Sequence, residues 1–304
     1  MAVTTDLAVI TPSYALDFEL CTELNASVLS HTPDSATHYI ITPRRDLKLF
    51  ARLKGPRTEV WSVDELLPRR VLAVLGTNYW VNLRHPVPPI RGWVMQQVVK
   101  LAATTRIDAE QLLLADSDVL FVRPVTADTF RLNGRLRFYR KDAAVDEHFP
   151  RHLIWHKVAR DLLGLPADHP PLPDYISPLN VWDRQAVSGL QERIEKVAGR
   201  HWLDAVAAQL HFSEFILYGV FVDYLLGAGS QAGASESMLC HSYWGHNPLS
   251  VAEAEKFVGG MPAEDVAIMI SAKSYTSIDV RREALSGYYR LSTKVPNMAA
   301  AFSV

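Results

Sequence analysis

Along the first hundred residues the apolar positions switch between two periods. Leu7-Ala-Val-Ile-Thr11 is a short continuous apolar run of the kind a strand buried on both faces shows, and Asp17–Leu29 then carries Leu20, Leu24 and Leu29 at helical spacing. His38-Tyr-Ile-Ile-Thr42 predicts a second strand, Asp46–Leu53 a short helix, Thr58–Ser62 a third strand and Val63–Leu75 a further helix. Repeated alternation of this sort predicts a mostly parallel sheet with helices on both faces. A polar, Pro-rich connection over Thr77–Pro89 leads into a helix at Gly92–Ala103, and Gln111-Leu-Leu-Leu-Ala115 predicts a fourth strand that stops abruptly at Asp116. The second half is less regular. It holds a Pro-rich loop at Pro166–Pro178, helices near Arg184–Ala198 and Ser213–Leu226, and a strand at Ser237–His241, with no internal repeat or low-complexity tract.

Composition narrows the classes. The 31 Lys and Arg nearly balance the 33 Asp and Glu, so no overall field draws the molecule onto nucleic acid or an anionic membrane, and an anionic ligand must be held locally. The longest apolar stretch, Phe215–Leu226, is interrupted by Asp223 and falls short of the roughly 20 residues that span a bilayer. Met-Ala-Val-Thr-Thr-Asp has neither a basic start nor an apolar signal core, so the expected compartment is the cytoplasm. Two cysteines, Cys21 in a predicted helix and Cys240 in a predicted strand, are too few for a disulfide scaffold or a Cys-based zinc site.

The chemistry concentrates where the fourth strand ends. Leu112-Leu-Leu-Ala-Asp116-Ser-Asp118-Val-Leu-Phe121 sets two carboxylates at i and i+2 just past a buried strand, the place where ligands of open α/β sheets sit. Mg²⁺ and Mn²⁺ take one or two carboxylates and fill their other positions with phosphate oxygens and water, which makes Asp116 and Asp118 candidate metal ligands. The small Ser117 leaves a ligand room to approach. An isolated Asp-x-Asp is more often a turn capping free amides; the apolar strand feeding this one favours chemistry.

On the helix from Gly92, Gln96 and Lys100 lie four residues apart and share a face. A Lys there offsets diphosphate charge, and a surface Lys with a capping Gln is the plain alternative. Arg44 and Arg45 follow the second strand, where they either meet a nucleotide or form a solvated basic pair. Glu214 opens an apolar helix, as a base for an acceptor hydroxyl or as a charge favoured by the helix dipole.

Ala-Asp116-Ser-Asp118-Val-Leu-Phe-Val-Arg123-Pro124 resembles the metal-binding segment of GT-A glycosyltransferases. With Ile10-Thr11-Pro12-Ser13-Tyr14, Arg91-Gly92-Trp93-x-x-Gln96-Gln97-x-x-Lys100 and Ser213-Glu214-x-x-x-Tyr218-Gly219, it is similar to a bacterial family of presumed nucleotide-sugar-dependent glycosyltransferases, over residues 7 to about 246. The resemblance implies an α/β GT-A fold, Rossmann-like, with a C-terminal acceptor-side extension. It implies one catalytic domain over 1–304, with 1–125 as the nucleotide-sugar half and 126–304 as the acceptor half and lid. It puts the nucleotide at Thr11, Pro12, Ser13 and Tyr14, with Tyr14 stacked on the base, and adds Arg44, Gln96, Lys100 and Ser117 around the donor. A late-chain His241 completes the metal shell, with His246 as the alternative ligand or a donor contact. Asn180, Trp182 and Asp183 resemble an acceptor-side wall, and Lys273 closes over the phosphates. The implied partners are a nucleoside diphosphate sugar, UDP-sugar favoured, and a small-molecule or glycan acceptor; the implied cofactor is Mn²⁺ or Mg²⁺. The inverting or retaining outcome stays open.

Other classes fit less well. A nucleotidyltransferase would cradle a triphosphate in a Gly-rich loop after the first strand, and Thr11-Pro-Ser-Tyr-Ala15 contains no glycine. A haloacid-dehalogenase phosphatase carries its Asp-x-Asp after the first strand, not the fourth. A catalytically silent nucleotide-sugar-binding module remains a third reading.

Overall fold

In the computed structural model, which describes residues 5–227 and 232–292, the first half of the chain follows the βα alternation. The elements are β1 (Thr5–Pro12), α1 (Phe18–His31), β2 (Thr37–Thr42), α2 (Leu47–Phe50), β3 (Thr58–Ser62), α3 (Val63–Leu66), β4 (Val71–Ala73), β5 (Tyr79–Asn82), β6 (His85–Arg91), α4 (Gly92–Arg106), β7 (Ala109–Ala115) and β8 (Val119–Phe121). There follow β9 (Arg131–Leu132), β10 (Arg135–Tyr139), β11 (Lys141–Val145), α5 (Pro150–Leu163), β12 (Leu172–Asp174), β13 (Leu179–Trp182), α6 (Arg184–Ala198), α7 (Trp202–Ala207) and α8 (Glu214–Phe221). The chain continues through β14 (Ala232–Ser235), β15 (Cys240–Tyr243), α9 (Val251–Gly259), β16 (Ala267–Ile270) and α10 (Ile278–Ser292).

The central sheet has the order β13-β7-β1-β2-β3. Its β7, β1, β2 and β3 run parallel and β13 runs antiparallel on the edge, so the fold is α/β with a mostly parallel sheet flanked by helices. Alternate residues of a strand point to opposite faces. Ala8, Ile10, Leu112 and Leu114 accordingly meet α4, α6 and α8 on one side. Leu7, Val9, Leu113 and Ala115 meet Leu24 and Val28 of α1 and the β8–β16 pair on the other. Burial on both faces is why these strands read as unbroken apolar runs. No helix among the described residues is long and apolar enough to cross a membrane.

Three sequence expectations are corrected here. The helix predicted over Val63–Leu75 stops after Leu66, because Pro68 forces Leu67 into an extended conformation (φ −100°, ψ 150°) and the chain turns into β4. The Thr77–Pro89 connection is instead β5 and the start of β6, completing a three-stranded antiparallel sheet. Pro86, Pro88 and Pro89 are tolerated in β6 because it is an edge strand. The helix predicted to Leu226 is α8 followed by one turn of π-helix at Val222–Leu226.

The motif Ser213-Glu214-x-x-x-Tyr218-Gly219 is largely packing. Ser213 Oγ accepts the Ile216 amide as an N-cap, and the Tyr218 ring stacks on Trp182 at 4.9 Å. At Gly219 a Cβ would lie 2.2 Å from the Tyr175 ring, inside any tolerable contact. Gly219→Ala is therefore expected to lose roughly 1–3 kcal/mol or more to overpacking, read as a lower urea midpoint; an unchanged midpoint would contradict this contact.

Candidate active site

The acidic turn is assembled from three directions. The Asp116 carbonyl accepts the Val119 amide (3.1 Å), which turns the chain from β7 into β8. Ser117 Oγ donates to Ser13 Oγ (2.9 Å), tying the turn to the segment that leaves β1. Because β16 pairs antiparallel with β8, the chain beyond Ile270 runs beside Asp118, and the Ala272 amide donates to Asp118 Oδ2 (2.7 Å). Asp116 is half exposed and Asp118 is partly buried.

Behind the turn lies a buried cation. Lys100 Nζ on α4 donates to Asp116 Oδ1 (2.8 Å) and to Glu214 Oε1 (2.9 Å), and sits 4.4 Å from the centre of the Phe215 ring. The Glu214 amide donates to Gln97 Oε1 (3.0 Å). The two motifs read separately in the sequence, one on α4 and one on α8, are thus halves of one buried assembly. Burial alone would lower the Lys100 pKa, but the charges of Asp116 and Glu214 outweigh it and hold the ammonium charged.

Glu214, expected as a base for an acceptor hydroxyl or as a helix-end charge, has its side chain 5 % exposed and turned onto Lys100. It anchors Lys100, which in turn anchors Asp116.

The carboxylates repel one another. Burial first, and then the charge of Asp116, pushes Asp118 up to about 6; the same two causes push Asp17 up to about 6, eased by Arg281. Arg281 of α10 is itself held by the carbonyls of Thr276, Ile270 and Ser271. Asp17 and Arg281 went unnoticed in the sequence. Among the described residues no three His, Cys, Asp or Glu side chains converge to cage an ion. The pair Asp116 and Asp118 suits a cation that takes one or two carboxylates and completes its shell with phosphate and water. A divalent charge there would relieve the repulsion that raises Asp118.

A small recess opens beside Ser13. Pro12, Ser13 and Tyr14 form one wall, Gly92 and Gln96 of α4 a second, and Trp80 of β5 closes the back. Four residues expected near a donor, Pro12, Ser13, Tyr14 and Gln96, line it, and Ser117 is bonded to one of them, Ser13. Lys273, also expected there, is exposed on the turn after β16, one residue past the Ala272 amide that holds Asp118.

The remaining expectations are placed elsewhere. Thr11 is fully buried, and its hydroxyl meets His38 Nε2 at 3.0 Å inside the core. Arg44 is out at the surface, 4.0 Å from Asp64, whereas Arg45 bonds the Thr77 carbonyl and Asn78 on the rim of the recess. His241, expected to bind the cation, stacks on Phe257 at 4.2 Å with Nε2 2.9 Å from the Phe257 carbonyl, so strand alternation points it at α9. His246 is exposed on the loop after β15. The expected acceptor wall is internal. Trp182 is core, Asn180 Nδ2 donates to the Ser177 carbonyl (2.7 Å), and Asp183 caps α6 through the Ala186 amide (2.7 Å).

His38 beneath Thr11 has its ring between Thr11 and Asn25 Oδ1 (2.9 Å), and burial pushes its pKa down to about 3. A folded pKa below the ordinary 6.5 means stability is complete above pH 6.5 and is lost as pH falls toward 3, at about 1.4 kcal/mol per pH unit. Stability of wild type is thus expected to fall between pH 7 and 5 by roughly 2 kcal/mol more than that of His38→Gln. Equal pH dependence in urea titrations would contradict a buried neutral ring.

The chain belongs to the family described as "Family of unknown function (DUF6492)", whose profile matches residues 6–291. No curated protein matches the sequence. Among solved structures, the chain is similar to the apo crystal structure of mouse xyloside xylosyltransferase 1, at 9 % identity and a TM-score of 0.45, over 87 % of this chain and 97 % of that one.

Proposed function

We propose that this protein is a metal-dependent glycosyltransferase that moves a sugar from a nucleoside diphosphate sugar, a UDP-sugar by preference, to a hydroxyl acceptor. The observation that carries the reading is the 2.9 Å bond between Ser117 and Ser13, which joins the acidic turn and the recess into one site. The motif resemblance of the Asp116-Ser117-Asp118 segment supports the same reading. Asp118, with Asp116, would hold Mn²⁺ or Mg²⁺, and the ion would supply charge for the leaving diphosphate. Tyr14 offers an aromatic face to the base, and aromatic faces stack on nucleobases with little loss of freedom. Burial and the nearby Asp17 and Tyr275 raise the Tyr14 pKa, so its hydroxyl stays protonated at neutral pH and does not repel phosphate. Lys100 holds Asp116 in place through its 2.8 Å bond. Lys273, exposed on the turn that holds Asp118, would offset phosphate charge.

The test is a melting panel of UDP-, GDP- and dTDP-sugars with and without Mn²⁺. A ligand at 100 times its Kd adds about 2.7 kcal/mol, so one nucleotide is expected to raise Tm by several degrees only when Mn²⁺ is present. No shift with any of the three would overturn the reading.

A further inference from the structure

Four aromatic rings form a continuous column at the site end of α4 and α5. Trp93 stacks on Trp155 (5.6 Å between centres, 30° between planes), Trp155 on His152 (4.9 Å, 26°), and His152 lies against Phe149 (5.5 Å, 42°). The two ends are open: Trp93 is 38 % exposed and Phe149 47 % exposed. The middle is enclosed and unsatisfied. Trp155 is 7 % exposed, yet its Nε1 has no hydrogen-bond partner, and neither has His152 Nδ1, which lies 3.6 Å from Asp174 Oδ1.

The column is set toward the chemistry. Trp93 and Lys100 are seven residues apart on α4 and share a face, which puts Trp93 about 10 Å further out along the helix axis than the ammonium that holds Asp116. Gly92 and Gln96, on the neighbouring face of the same turn, line the recess. The aromatic column and the donor recess thus flank one end of one helix.

We infer that this column is the platform for the pyranose ring of a glycan acceptor. The C–H face of a pyranose carries the partial positive charge that the negative face of an aromatic ring attracts, and the sugar's flat profile covers one exposed indole. Asp174 provides carboxylate oxygen for hydroxyls beside the column. The role as acceptor platform rests on the transferase reading; the binding itself does not.

The experiment uses saturation-transfer NMR with methyl β-D-glucopyranoside and methyl β-D-xylopyranoside on the full chain, alongside the UDP and Mn²⁺ melting shift. Wild type is expected to saturate the protons of one pyranoside face. Trp93→Ala is expected to weaken that binding at least tenfold, Trp93→Phe to retain most of it, and both to leave the UDP and Mn²⁺ shift unchanged. If Trp93→Ala does not fold, Trp93→Leu, which keeps apolar bulk without a ring, is expected to show the same loss. Absence of pyranoside binding beside an intact UDP and Mn²⁺ shift would overturn the platform and leave the transferase reading standing. Binding unchanged in the variant that lacks the Trp93 ring would overturn it as well. Trp93-dependent pyranoside binding with no nucleotide shift would keep the platform and remove the transferase reading.

Discussion

Asp118→Asn is expected to reduce sugar transfer by about a thousandfold or more while leaving the metal-free protein at least as stable as wild type. The carboxylate is partly buried beside Asp116, and its pKa is pushed up to about 6 by burial and then by that neighbour. A carboxylate raised in the fold above its ordinary value stabilises below that value, and the contribution is lost as pH rises through about 6. At pH 8 wild type therefore carries an unfavourable charge that asparagine lacks, while the asparagine oxygen still accepts the Ala272 amide. The transferase reading asks Asp118 to meet a cation, and a neutral amide is a poor ligand for one. Losses of transition-state charge stabilisation of about 4 kcal/mol correspond to the thousandfold drop. The combination of higher Tm at pH 8 and lost transfer is the pattern of a residue kept for chemistry at a cost in stability. A variant that melts well below wild type at pH 8, or that still transfers sugar, would contradict the assignment.

The second large effect is on stability. Lys100→Met is expected to destabilise the fold by about 3–5 kcal/mol, because it leaves the Glu214 carboxylate buried without its partner. Asp116, half exposed, loses its anchor but keeps access to water. The double variant Lys100→Met/Glu214→Leu removes both charges and fills the space with apolar atoms, so it is expected to recover most of the loss; replacing a whole buried pair is often close to neutral. That non-additivity, measured by urea unfolding, separates a buried pair from two independent surface charges. Additive losses would mean that the two side chains do not meet. The same pair of variants separates the two parts considered for Glu214. As an acceptor base it would lower transfer without touching the Lys100 energetics, and as a positioning group its effects must vanish once Lys100 is gone.

What could be read in the chain depended on how local each feature was. β1 and β7 were legible because burial on both faces leaves continuous apolar runs, β2 and β3 because β-branched and aromatic residues cluster in them, and Asp116 stood out because a carboxylate ends such a run. The β4–β6 sheet was hidden by Pro86, Pro88 and Pro89, which signal a loop unless the strand is known to be an edge. Thr11 illustrates the limit at a strand end: inward and outward threonines look alike in sequence, and only the His38 ring 27 positions away fixes its direction. Glu214 met the same limit, since its partner Lys100 is 114 positions distant. His241 sits beyond an apolar run just as a ligand would, but strand alternation turns it onto Phe257 of α9. Asp17 and Arg281 gain meaning only through the charges gathered around Asp118. The aromatic column escaped notice because α5 did. Its polar face, with Lys157 and Asp161, masked the 3.6 period carried by Trp155, Ala159 and Leu162.

The central claim is that the acidic turn and the recess behind Ser13 form one metal and nucleotide site. A titration of the protein with Mn²⁺ followed by the electron paramagnetic resonance of the free ion, with and without UDP, tests it most directly. The account predicts weak Mn²⁺ uptake by the protein alone, uptake at least tenfold tighter with UDP and a stoichiometry of about one, and no such coupling in Asp118→Asn. Mn²⁺ uptake indifferent to UDP beyond what UDP binds by itself, or coupling that survives Asp118→Asn, would contradict it.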